Sequence, residues 1–397
     1  MPDSTAVIDE LKKKLDQSPD LRARLEASLK QASEEALTKL RKPLREALAW
    51  PSDVTGYLEY LGDLAQWAPR QDPGEAWAND KNGAQEIFDR LCHFYFLIDQ
   101  KVGDDKKIVE NDDWFRGWLD RYAQAWGSFL DTEASFGEEQ LKSFELSPRY
   151  RVQDSMIDGK PNKPGGWLTF NEFFARELNP GLRPISDPGK NATVTAPADC
   201  IYVATYPIDE HSAIEPGKLK YTHEPTTVKQ LFDGEAGFSD KFAGGTFVHY
   251  FLAPYSYHRF HTPVAGQVKK CFTVHARAYL DVTIKQNGQF DAPDGSQDAY
   301  EFYQGRGVLV IDTAGSPHGD IGLVAVVPVG MAQISSARLT LEEGSQVEKG
   351  DEFGYFQFGG SDIILLFQKD KAPKIDTSTD YRLYGTSISA EPPAPKK

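Results

Sequence analysis

From residue 6 to about 145, apolar residues recur at three- and four-residue spacing, which predicts helices. Leu21, Leu25 and Leu29 open one stripe, continued by Leu37, Leu40, Leu44 and Leu48. Ile87, Leu91, Phe94 and Ile98 form a second, and Trp114, Trp118, Tyr122 and Trp126 a third. Ser18-Pro19 reads as a stop and restart, with Ser as N-cap and Pro at the first helical position, and Pro43 as a kink. The simplest reading of the stripes is the inner faces of a helical bundle; a membrane-surface helix and an aromatic wall around a ligand are the alternatives. The pattern breaks at Asp158–Gly166, DGKPNKPGG, a linker. Thr169 with Glu172 is a capping box that opens a short helix through FFARELN, which Pro180-Gly181 ends. From Ala192 onward the runs TFVHYFLA, GVLVIDTA, GLVAVVPVG and IILLFQ are β-branched or aromatic and bounded by Gly, Pro or Asp, which predicts strands. The expected architecture is α+β: a helical domain over 1–157, a linker over 158–168, a mostly antiparallel β domain over 169–386 and a disordered tail over 387–397.

Two segments of the β half, PVAGQVKK (Pro263–Lys270) and EEGSQVEKGDEFGYF (Glu342–Phe356), place Gly before a Val-centred strand. They resemble the hairpins of lipoyl- and biotinyl-type barrel-sandwich folds, in which Gly lets short strands turn corners. Composition narrows the class further. The 397 residues carry 44 Lys+Arg against 59 Asp+Glu, a net charge of −15. No basic stripe argues for nucleic acid, and no block is polybasic enough to dock on anionic lipid. No apolar run approaches the roughly 20 residues of a membrane span, and the N-terminus has no signal-peptide core, so a cytoplasmic protein is expected. Cys92, Cys200 and Cys271 match no metal or disulfide pattern.

Three local features carry candidate chemistry. Gly359-Gly360-Ser361-Asp362 precedes the apolar strand Ile363–Phe367. A Gly-Gly-Ser run is ordinarily a turn. A Gly-Ser bond can also undergo an N-to-O acyl shift, then β-elimination and hydrolysis to a pyruvoyl group, since Gly tolerates the strained geometry. His258 and His261 stand three apart in LAPYSYHRFHTPVAG and suit general acid–base work, or are satisfied half-buried residues; no metal-ligand partner stands at suitable spacing. Asp199, in APADC, can orient a histidine or simply make a turn. The other six histidines form no cluster in the sequence.

These pieces resemble a family. TFNEFFARELNPGLRPI (Thr169–Ile185), APADC (Ala196–Cys200), KYTHEPTTVKQLFDG (Lys220–Gly234), FLAPYSYHRFHTPVAGQV (Phe251–Val268) and KGDEFGYFQFGGS (Lys349–Ser361) occur in the order of the phosphatidylserine decarboxylase proenzymes. The resemblance implies a self-processing decarboxylase cut between Gly360 and Ser361, with a self-generated pyruvoyl cofactor at Ser361 that forms a Schiff base with the substrate amine. It implies His261 as the base for self-cleavage, oriented by Asp199, and His258 as the acid/base of decarboxylation, with no metal. Asp362 stands where phospholipid-acting members usually carry Thr or Ser. Gly305-Arg306-Gly307 and Gly330–Ser335 also depart from those members; the Gly330–Ser335 form and the helical front, including WGSFLDTEAS (Trp126–Ser135), resemble the soluble pyruvoyl-type tryptophan decarboxylases of the same superfamily. The expected substrate is therefore a free L-amino acid, aromatic in the first instance. The alternative is phosphatidylserine, which would bring peripheral membrane association; a second is an unprocessed lipoyl-like scaffold. Homo-oligomers stay open.

Overall fold

The computed structural model describes residues 3–77, 79–80, 83–214, 226–274, 280, 282–292, 302, 304–330, 337–358 and 361–390. Gly359, Gly360, residues 331–336 and residues 391–397, on which parts of the expected motifs and tail fall, lie outside them. Two compact units emerge. One holds Met1–Phe174 with Arg277–Pro293 and Ala332–Ile334; the other holds Ala175–Ala276, Asp294–Met331 and Ser335–Lys397. The 158–168 linker thus falls inside the first unit, and a segment from the β half belongs to it as well.

The first unit is helical: α1 (Ser4–Gln17), α2 (Pro19–Lys39), α3 (Lys42–Ala47), α4 (Val54–Leu64), α5 (Glu86–Ile98), α6 (Asp113–Leu130), α7 (Glu138–Glu145) and α8 (Phe170–Phe174). Ser18 separates α1 from α2 as expected, but its side chain makes no capping bond. Pro43 does not kink a helix; it sits in the first turn of α3, where its missing N–H costs nothing. Leu37 is 65 % exposed, because Ala32 and Ala36 continue the buried face of α2 and Leu37 stands one position off it. Trp118, Tyr122 and Trp126 are core, and each satisfies its polar atom: Trp118 Nε1–H donates to Val7 O (2.8 Å), Tyr122 O–H to Leu61 O (2.7 Å) and Trp126 Nε1–H to Trp67 O (3.2 Å). At α8 the Thr169 hydroxyl accepts from Glu172 N, and Glu172 reaches back to Leu168 N; the helix stops at Phe174, short of the expected FFARELN. The 277–293 segment contributes Phe290 against Phe96 and the Gly288 carbonyl to Arg41 N.

The second unit is built on two antiparallel sheets. The strands of these two sheets are β1 (Ile201–Pro207), β2 (Thr246–Leu252), β3 (Arg259–His261), β4 (Gly266–Val274), β5 (Arg306–Asp312), β6 (Leu323–Gly330), β7 (Ala337–Leu339), β8 (Gln346–Val347), β9 (Glu352–Phe356) and β10 (Ser361–Phe367), beside a small hairpin of Ala213–Ile214 with Thr226–Thr227. The seven-stranded sheet runs β8-β4-β5-β6-β10-β2-β1 and the three-stranded sheet β7-β9-β3, and neither closes into a barrel. The two Gly-Val hairpin segments pair with each other, Gly266 opposite Val347. Gly350 (φ +92°) and Gly354 (φ +157°) are needed as glycines: a Cβ on the first would lie 2.6 Å from Ile185 Cδ1, and on the second would meet the Arg338 carbonyl and the Phe260 ring. All seven residues of β10 are buried, which explains its unbroken apolar run in the middle of the sheet. One face of that sheet packs Phe247, Val308, Val310, Val327, Val329, Ile364 and Leu366 into a single core. Residues 387–390 are not a loose tail: Ile388 is fully buried, its N–H donates to Val194 O, and Ser387 and Ser389 bridge to Thr195 and Ile375.

Candidate active site

Ser361 opens β10 between Leu252 of β2 and Gly330 of β6, and it is fully buried. Its Oγ lies 3.3 Å from His258 Nδ1. The other ring nitrogen, Nε2, lies 3.3 Å from the Pro254 carbonyl, which can only accept. This assigns the proton to Nε2 and turns the Nδ1 lone pair toward the serine hydroxyl. Burial pushes the His258 pKa down to about 3, so the imidazole is neutral near pH 7 and available as a proton acceptor.

His261 is placed differently. Its Nδ1–H donates to Gly350 O (2.9 Å), and its Nε2 receives the Tyr257 O–H (3.1 Å). Its ring lies flat on Tyr384, with centroids 3.7 Å apart and planes within 2°. Burial lowers its pKa to about 4. Both nitrogens are therefore engaged away from Ser361. The structure therefore brings His258, and not His261, to the Ser361 hydroxyl, and strand geometry supplies the reason. The ladder continues from β3 through His258, whose carbonyl accepts from Phe356 N, and residues three apart on a strand point to opposite faces. Only one of the two can face Ser361, and it is His258.

Asp199 does not touch His261. Its carboxylate is held by Arg183, Nε to Oδ1 at 3.1 Å and Nη2 to Oδ2 at 2.7 Å, and by Tyr384 N at 2.8 Å, with both side chains of the ion pair about 2 % exposed. A buried carboxylate without an opposite charge would be costly, and the bidentate guanidinium removes that cost. Asp199 and His261 thus share Tyr384, one through its amide and the other through its ring. Next to Gly350 in the chain, the Lys349 ammonium donates to the carbonyls of Asp187, Lys190 and Thr193 at 2.7 Å and of Ser186 at 3.3 Å; burial lowers its pKa to about 8.

Sequence reading had not singled out Tyr257, Tyr384, Arg183 or Lys349 for roles. Arg183 and Lys349 lie inside the motif-bearing stretches, whereas Tyr384 carries no local signal. His249, which stood in no cluster along the chain, has its Nε2 3.1 Å from Asp362 Oδ1, both side chains being fully buried. Gly360, expected on the other side of the cut, lies outside the described residues. Among the described residues, no group of three or more His, Cys, Asp or Glu converges as a metal site, and no helix is long and apolar enough to cross a membrane.

Comparisons with known proteins carry the site further. The chain is 34 % identical over 203 residues to "phosphatidylserine decarboxylase proenzyme 2" of Oryza sativa subsp. japonica, which covers 51 % of this chain and 30 % of that protein. It is 28 % identical over 265 residues to "decarboxylase iboD" of Amanita muscaria, covering 61 % and 74 %. It is 31 % identical over 225 residues to the phosphatidylserine decarboxylase proenzyme of Chlamydia trachomatis, covering 56 % and 66 %. The chain therefore spans less than two thirds of the rice and Chlamydia relatives. The sequence profile described as phosphatidylserine decarboxylase matches residues 170–388, a stretch that contains Asp199, His258, His261 and Ser361. With more than half of its residues inside that profile, the chain belongs to the phosphatidylserine decarboxylase family.

Proposed function

We propose that this protein is a self-processing, pyruvoyl-dependent decarboxylase and that phosphatidylserine is its substrate. The observation that carries the reading is the Ser361 hydroxyl 3.3 Å from the unprotonated nitrogen of a neutral, buried His258. His258 Nδ1 takes the hydroxyl proton as Oγ bonds to the Gly360 carbonyl carbon, and the proton passes to the Ser361 nitrogen as the peptide C–N bond breaks. Loss of the Ser361 Cα proton then breaks the Cβ–Oγ bond and releases the Gly360 carboxylate. Addition of water with loss of ammonia leaves a pyruvoyl group on Asp362. A histidine with so low a pKa holds a proton only briefly, which suits a relay that returns it within each step.

The site fits such a group: residue 361 is fully buried at a strand end, with an acid–base side chain against it. The pyruvoyl ketone supplies an electron sink for loss of CO2. The chain's own contribution is to keep residue 361 dry and in register and to present His258 as the proton carrier. His261, Tyr257, Tyr384, Asp199 and Arg183 are assigned to positioning the strand that carries His258.

Phosphatidylserine is preferred over the free amino acid expected from sequence because the rice and Chlamydia relatives are named for it. A free amino acid is the second reading, favoured by Asp362 and by the coverage of the Amanita decarboxylase, whose name specifies no phospholipid. Purified protein is examined first by intact mass for a chain ending at Gly360 and a partner of residues 361–397 with a blocked first residue. It is then given phosphatidylserine liposomes and a panel of free amino acids while CO2 is measured. CO2 from liposomes is the expected result. CO2 from amino acids alone transfers the assignment to the second reading, and a single uncut chain without CO2 removes the enzymatic reading.

A further inference from the structure

The reaction just proposed does not use the most unusual buried contact in the sheet unit. Asp362 and His249 are both fully buried, with Oδ1 and Nε2 3.1 Å apart, and they lie on adjacent strands of the seven-stranded sheet. Ile364 stands opposite His249 and Phe251 opposite Asp362, so the contact runs diagonally between β10 and β2. Side chains alternate along β10, which puts Asp362 with Ile364 and Leu366 on the core face and Ser361 with Ile363 and Leu365 on the other. The pair is therefore behind the strand, as seen from the serine hydroxyl, yet one residue from the reacting centre.

We infer that Asp362 and His249 are positioning residues, which hold the newly cut end of β10 at one register on β2 so that residue 361 stays against His258. This inference rests on the proposed self-cleavage. Before the cut, four residues join Phe356 at the end of β9 to Ser361, and at roughly 3.3 Å per residue so short a link limits any sliding of β10. After the cut that tether is gone. The far end of the strand keeps its own polar mark, Leu323 N donating to Gln368 Oε1 at 2.8 Å, and stays joined to the buried segment around Ile388. Apart from that pair and the approach of residue 361 to His258, the strand itself offers only the buried apolar side chains of Ile363–Phe367. A slide by two residues keeps every side chain on its face, so the alternation that forbids a one-residue slip does not by itself forbid this one. A buried polar pair has one acceptable partner position, which is the best-attested role of such pairs.

Four variants test this: Asp362→Asn, Asp362→Leu, His249→Phe and the Asp362→Leu/His249→Phe double. Each is measured for completeness of cleavage by intact mass, for melting temperature, and for kcat and KM of CO2 release. Cleavage is expected to stay complete in all four, since the tether is intact until the bond breaks. Asp362→Asn, which keeps an acceptor oxygen, retains most of the wild-type kcat. Each single apolar variant loses at least tenfold in kcat with KM within about twofold. In the double variant the melting temperature returns toward wild type, because matched apolar residues pack well, while kcat remains low. Recovery of kcat together with melting temperature in the double variant, or unchanged kcat in Asp362→Leu, overturns the inference. An uncut wild-type chain overturns instead the reading on which it rests.

Discussion

Two corners of the sheet unit hold histidines three residues apart, both buried and both neutral near pH 7, yet set among different partners. At the first, His258 donates Nε2–H to the Pro254 carbonyl and turns Nδ1 to Ser361. At the second, His261 is bonded on both nitrogens, stacked on Tyr384, and anchored near an Asp199–Arg183 ion pair. Titration alone would not separate them, since burial lowers both pKa values, to about 3 and about 4. Their partners do. A histidine whose second nitrogen meets a hydroxyl can exchange a proton with it, whereas one bonded at both nitrogens and stacked on its face has those positions occupied. Two imidazoles of one motif are thus aimed at different partners by strand alternation.

The largest effect is expected at the first corner. Ser361→Ala removes the attacking oxygen, so both cleavage products and all CO2 release should vanish while the chain stays folded. Intact mass and circular dichroism check the two halves of that statement. His258→Ala should slow cleavage by roughly 10²- to 10⁴-fold, the usual worth of a general base. His261→Ala should still cleave, though more slowly, with a destabilisation of about 1–3 kcal/mol from leaving the Gly350 carbonyl and Tyr257 hydroxyl without their partner. The reverse ranking of the two histidines in a cleavage time course would invert the comparison.

At the second corner, Asp199→Ala leaves a buried guanidinium without its carboxylate and should cost about 3–5 kcal/mol, read as a lowered denaturation midpoint. Cleavage should fall far less than in His258→Ala once the variant is measured below its melting temperature. Acid should weaken both corners. The histidine pKa values are lower in the folded chain than the ordinary value near 6.5, so below that pH the unfolded chain takes up protons that the native one refuses. Stability is therefore complete above about pH 6.5 and declines by about 1.4 kcal/mol per pH unit for each such histidine as pH falls toward 4. Replacing His261 with Gln should lessen that slope by one proton in a denaturant series from pH 7 to 4.5. An unchanged slope would mean that His261 is not buried as a neutral group. The smallest effect belongs to Trp114, the half-buried member of the α6 stripe, which carries the Lys14 and Arg121 cations on its ring. Trp114→Ala should cost about 1 kcal/mol or less, against about 3–5 kcal/mol for the buried Trp118.

Much of the fold is legible along the chain. The leucine and tryptophan stripes mark real helix faces, and the four apolar runs of the second half became β2, β5, β6 and β10. Errors fall where a local rule had two outcomes. Proline near Lys42 can kink a helix or start one, and Leu37 lies one residue off a face that alanines complete. The segment 387–390 looked like a tail because Ser, Ala and Pro surround it, yet a single buried isoleucine and its backbone bonds to Val194 hold it in place.

The candidate site divides in the same way. By itself the sequence determined that Ser361 follows a Gly-Gly pair at the head of an apolar strand, that His258 and His261 share one motif, and which family carries Asp199, His258, His261 and Ser361 in this order. Those are properties of neighbours in the chain, and periodicity and composition read them directly. The tertiary structure alone decided that His258 meets Ser361, that Arg183 occupies Asp199, that Tyr384 covers His261, and that His249 comes to Asp362. Each of those pairs joins residues separated by at least 16 positions. Which of them meet depends on strand order and register, and a one-residue change of register would turn every side chain of the strand to the opposite face.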